Sequence, residues 1–186
     1  EDLNKPDKDR YEFIYPNFNL LKEFKNNTTL NGRFSLNSYG YAKTHATNVD
    51  ERIIINDLIF NSNPKITKKG FKNTFAYLFK NSNTDSSKSS SFKEGVDNKI
   101  DLLFEYNSSY PLVKRSEKFT STLSPLMTFK YSPNNSKNMT DDDKRLDINN
   151  IFGFNRLGTS TSVEGGASLT YGLDYSRSDK SDNEVF

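Results

Sequence analysis

Strict alternation of apolar and polar residues, repeated along the chain, is what most constrains how this sequence can fold. Phe119, Ser121, Leu123, Pro125, Met127, Phe129 and Tyr131 are opposed by Lys118, Thr120, Thr122, Ser124, Leu126, Thr128 and Lys130. Ile100, Leu102, Phe104 and Tyr106 alternate with Asp101, Leu103, Glu105 and Asn107, and Ala167, Leu169, Tyr171, Leu173 and Tyr175 with Ser168, Thr170, Gly172, Asp174 and Ser176. Phe71, Phe75, Tyr77 and Phe79 face away from Lys72, Thr74, Ala76, Leu78 and Lys80, as Leu30, Gly32, Phe34 and Leu36 do from Asn31, Arg33, Ser35 and Asn37. A period of two is a strand signal, since successive side chains leave a strand on opposite faces. With two less regular stretches, Tyr11–Lys22 (broken by Pro16) and the Ile-rich Arg52–Asn61, this predicts an all-β, antiparallel meander of about seven long strands.

Two kinds of protein carry one wet and one apolar face per strand, the soluble sandwich and the membrane barrel. Strand length and loop rhythm favour the barrel. Several alternating stretches exceed ten residues, against about 5–6 for ordinary strands and ~9–11 for a tilted membrane crossing. The connections are expected to alternate between short (Lys25–Thr28, Asn63–Lys69) and longer (Thr44–Glu51, Ser82–Asn98), with Asn107–Glu117 intermediate and 132–166 longest. Barrels sort brief periplasmic turns and long outer loops in this way. Tyrosines and phenylalanines near strand ends (Tyr11 and Tyr15, Tyr39 and Tyr41, Tyr106 and Tyr110, Phe129 and Tyr131, Tyr171 and Tyr175) read as interface girdles.

Composition agrees. Hydrophobic residues are only 33% but aromatics reach 13%, and mean hydropathy is −0.82. No apolar run approaches the ~20 residues of a membrane helix, so only strands are expected to cross a bilayer. A net charge of +2 with interspersed signs gives no basic stripe for nucleic acid. The absence of cysteine removes disulfides and thiolate sites, and a lone histidine, His45, leaves little for imidazole chemistry.

The remaining motifs point away from catalysis and cofactors. Asp141, Asp142 and Asp143 are adjacent, not at the alternate spacing of a calcium loop, and read as a solvated loop. Gly165 and Gly166 precede a strand rather than a helix, which suits a tight entry better than a phosphate cradle. Ser82–Ser91 is low in complexity and is expected to be mobile. No set of carboxylate, imidazole and nucleophile forms a catalytic constellation, and the chain is read as non-enzymatic.

Three strings carry a family resemblance. Tyr11-Glu12-Phe13-Ile14-Tyr15-Pro16 enters a strand through a Tyr/Pro step, and Gly40-Tyr41-Ala42-Lys43 leads to Asn48-Val49-Asp50-Glu51-Arg52 and Asn56-Asp57-Leu58. The most specific block is Asn149-Asn150-Ile151-Phe152-Gly153-Phe154-Asn155-Arg156-Leu157-Gly158, followed by Glu164-Gly165-Gly166 and Tyr171-Gly172-Leu173-Asp174-Tyr175. These resemble the barrel of the lipopolysaccharide-assembly family LptD, in its alphaproteobacterial form. Asn155 stands where the family often has Asp, and the family's cysteines are missing.

The resemblance spans nearly all 186 residues but only an internal part of the family's barrel. It implies a partial outer-membrane barrel domain over residues 1–186, in the outer membrane of a Gram-negative bacterium, inserting lipopolysaccharide into the outer leaflet. Implied partners are an LptE-type plug lipoprotein, an LptA-type periplasmic bridge reached through a further N-terminal domain, lipopolysaccharide and membrane lipid. Lys72, Lys80, Lys118 and Lys130 fall on the expected inner faces, where they offer weak anion contacts or simply ordinary lumen polarity. A porin, an autotransporter barrel and a secreted β-sandwich adhesin are the alternatives.

Overall fold

A computed structural model describes residue 4 and residues 11–26, 31–45, 49–134 and 145–179. Among these there is no helix, and nine strands form one antiparallel sheet. Seven are long: β1 (Glu12–Asn26), β2 (Gly32–His45), β3 (Val49–Ser62), β5 (Lys72–Ser87), β6 (Gly95–Ser109), β8 (Phe119–Ser132) and β9 (Gly166–Asp179). The short β4 (Lys65–Ile66) and β7 (Leu112–Arg115) continue the lines of β3 and β6 along β5 and β8. Neighbours in sequence are neighbours in the sheet, as expected of a meander. The sheet is open, with β1 and β9 at its edges.

Register sorts the side chains onto two faces, because directly paired residues share a side. Phe104 pairs with Tyr131 and Tyr106 with Phe129, which in turn pairs with Leu169. Phe79 joins Leu58 and Leu102 in one row. The even positions of Ile100–Tyr106 thus share a face with the odd positions of Phe119–Tyr131 and Ala167–Tyr175, and this face is left bare. Leu169 is 58% exposed, Tyr171 80% and Leu173 65%. Aromatic contacts knit its middle, with Phe60 between Phe34 at 4.6 Å and Phe75 at 5.7 Å. Gly32 leaves room for the Phe60 ring, since a Cβ there would lie 2.5 Å from Phe60 Cζ.

The apolar stripe crosses the sheet at an angle. It is centred between Phe18 and Phe24 on β1, and between Leu169 and Tyr175 on β9. Followed through paired positions, its centre slips by about eight residues over the six steps between long strands, roughly 1.3 per step. With ~3.4 Å per residue and ~4.8 Å between strands, the strands lean about 40° from the stripe's normal.

Several expected connections prove to be strand. Residues 82–87 continue β5 and 95–98 begin β6, which leaves only 88–94 of the Ser82–Asn98 loop. Hydroxyls replace the missing apolar periodicity: Ser82, Thr84 and Ser86 are buried, and Ser86 Oγ donates to Lys93 O at 2.7 Å. Thr44–Glu51 shrinks likewise, with His45 paired to Val49. Asn107–Glu117 contains the end of β6 and all of β7. The longest connection does run between Ser132 and Gly166. The Lys25–Thr28 turn lies largely, and the Asp141–Asp143 run wholly, outside the described residues. Tyr39 and Tyr41 depart from the girdle reading: their register with Ile55 and Ile53 puts them on the covered face.

Candidate functional site

The face opposite the stripe is covered by the chain itself. Residues 145–165, most of the described part of the longest connection, fold back across β3, β5, β6, β8 and β9 as a strap. Three buried cations fasten it. Lys130, 2% exposed, pairs with Glu105 at 3.2 Å and donates to the strap carbonyls of Gly153 and, at 3.0 Å, Phe154. Lys80 pairs with Asp57 at 2.7 Å and donates to Ser160 O at 2.9 Å. Each lysine has an acid directly across the ladder, Asp57 for Lys80 and Glu105 for Lys130, so each bridges two strands and the strap at once.

Arg156 belongs to the strap. Its Nε donates to Glu164 Oε2 at 2.8 Å and its Nη2 to Glu164 Oε1 and, at 2.8 Å, Ser168 Oγ. Its Nη1 donates to Ile151 O at 3.2 Å and Thr170 Oγ1 at 3.3 Å. The five N–H donors of the guanidinium are thereby all engaged. The Glu164 hydrogen bonds hold the Arg156 pKa above its ordinary value despite burial, so the group stays cationic. Asn155 completes the knot by accepting the Glu164 amide at 3.0 Å.

Apolar contacts do the rest. Val163 is buried against Leu78 and Leu103, with Ile59 and Phe154 packed on them. Phe152 lies over Gly172 of β9, where a Cβ would meet its ring at 2.7 Å. The covered face is therefore not uniformly polar; it holds a small apolar cluster under the strap. Beside it, Ser82, Thr84, Asp97, Lys99, Asp101 and Thr161 line a hollow of 380 Å³.

Of the four lysines singled out in the sequence, Lys80 and Lys130 both lie beneath the strap, at separate points along it, and their charge is already matched by carboxylates and carbonyls. Lys72 lies on the same face at the exposed start of β5. Lys118 is in the turn before β8 rather than on a strand face, because the ladder begins at Phe119. Their acidic partners and Arg156's clamping role were missed. The available signals were Asp57 inside an Ile-rich run and Glu105 on the same alternation as Leu103. His45 ends β2, and Ser82–Ser87 is ladder rather than mobile loop. Among the described residues, no group of three or more His, Cys, Asp or Glu is placed to hold a metal. The arrangement holds a segment of the chain against one face of the sheet. Compared with known proteins, the chain matches no family model and no curated sequence.

Proposed function

We propose that this chain forms part of the wall of an outer-membrane β-barrel of the LptD type, which delivers lipopolysaccharide to the outer leaflet of a Gram-negative envelope. The observation that carries the membrane reading is the bare, inclined apolar stripe backed by a covered polar face. Membrane strands tilt by about 35–45° and show lipid an apolar band. A soluble sheet has no reason to leave such a band uncovered while burying lysines on its other side. Hydrocarbon also forbids free sheet edges, so β1 and β9 require further strands to pair with.

The transport reading rests on the Asn149–Gly158 block and the Glu164–Tyr175 stretch. These residues supply the strap, its Arg156–Glu164 lock and its seat on β9, so the likeness falls on a structurally coherent unit. A polar interior suits a phosphorylated sugar head group, and the partners in this reading are the plug lipoprotein and the periplasmic bridge.

Residues 1–186 alone, run on size exclusion without detergent, should aggregate. A sharp monomer with cooperative thermal unfolding would refute the wall reading. Depleting the protein from its cell should leave newly made lipopolysaccharide at the inner membrane, and unchanged surface lipopolysaccharide would refute the transport reading alone.

A further inference from the structure

At the end of the sheet opposite the strap, one row of paired residues departs from the apolar pattern. Lys114 of β7 pairs with Ser121 of β8, which pairs with Arg177 of β9. The row above it is apolar or aromatic: Leu112, Leu123 and Tyr175. Both rows lie on the bare face, since Leu123 shares its alternation with Met127 and Phe129. Two cations thus flank a hydroxyl at the lower margin of the stripe, with backbones about 10 Å apart.

These residues border a hollow of 620 Å³. The Arg177 guanidinium stacks on Phe119 at 3.9 Å, and its Nε is buried with no hydrogen-bond partner among the described residues. Tyr175 Oη donates to Ser121 Oγ at 3.5 Å, which places a second hydroxyl in the same hollow. Lys114 and Arg177 line the hollow with no acid among its lining residues, while Asp179, paired with Phe119, lies on the same face at its edge and Arg115, paired with Thr120, turns to the other face.

We propose that this hollow binds an anionic phospholipid, with its phosphate between Lys114 and Arg177 and its acyl chains along Leu123, Leu173 and Tyr175. The inference rests on the membrane reading above and goes beyond it by naming a lipid class and leaflet. Charge complementarity selects an anionic head group. Position selects the leaflet: the hollow lies at the sheet end opposite the longest connection, between Ser132 and Gly166. In a barrel the short turns face the periplasm, where the leaflet is phospholipid.

The test is electron paramagnetic resonance on the full-length protein in phosphatidylcholine vesicles, using spin-labelled phosphatidylglycerol and phosphatidylcholine as probes. The motionally restricted fraction should favour phosphatidylglycerol by roughly fivefold or more. Lys114→Gln with Arg177→Gln should bring the ratio near one, and Lys114→Gln alone, at an exposed position, should lower it part-way. Equal restriction of both lipids by the unaltered protein, or an unchanged ratio in Lys114→Gln, would overturn the site while leaving the barrel standing. No restricted lipid of either kind would overturn the membrane reading and the site with it.

Discussion

Replacing Arg156 by Met removes the guanidinium from the strap while keeping much of its apolar stem. The structure sets the size of the effect. The Arg156 side chain is 3% exposed and that of Glu164 12%, so the substitution leaves a largely buried carboxylate without its direct cation, and Ser168, Thr170 and the Ile151 carbonyl without their donor. Breaking one side of a buried pair in this way costs about 3–5 kcal/mol. The loss falls on the strap and not on the strand ladders, because none of the five acceptors is a backbone group of a strand. The expected result is local opening, with exchange of the Glu164 and Thr159 amides accelerated by roughly 10²–10⁴-fold. Both are hydrogen-bonded within the strap, to Asn155 Oδ1 and Ser162 O. Hydrogen exchange in detergent or lipid measures this, with β2–β3 amides as the internal reference. Glu164→Gln in the Met variant should restore part of the protection by removing the stranded charge. Strap amides as protected in Arg156→Met as in the unaltered protein would refute the reasoning.

Other perturbations separate the two faces. Spin labels at Leu102 and Leu169 should meet lipid-soluble oxygen more often than labels at Asp101 and Thr170, and the reverse ranking would put the sheet inside out. Leu103→Ala, under Val163, should lower stability by about 2–5 kcal/mol in urea titration of the refolded protein, whereas Leu102→Ala, 44% exposed, should cost clearly less. Leu169→Arg should cost about 2–4 kcal/mol if it sits near mid-bilayer. Gly172→Ala should push Phe152 off β9 and cost about 1–3 kcal/mol, with Phe152→Leu expected to recover part of the loss.

What the sequence determined by itself was local and periodic. Alternation located five of the long strands and chose their faces, two less regular stretches marked β1 and β3, and the whole was ordered as a meander, because a strand's side-chain period is set by its backbone and reads directly from hydropathy. It was silent where polar residues sit on both faces. The ladder through Ser82–Ser87 carries no apolar signal, since hydroxyls and carbonyls supply its side-chain contacts, so it looked like loop. Tyr39 and Tyr41 read as interface aromatics because aromatic composition does not reveal a face; only their pairing with Ile55 and Ile53 did. The lysines show the same limit most sharply. Sequence placed Lys80 and Lys130 on the inner side, but their roles depend on Asp57 and Glu105, distant in the chain and adjacent only through register. Above all, nothing local to Asn149–Gly158 says that Arg156 spends every donor inside the fold. That was decided when tertiary structure laid a long connection back on its own sheet, where buried charges persist only if opposite charges and carbonyls converge on them.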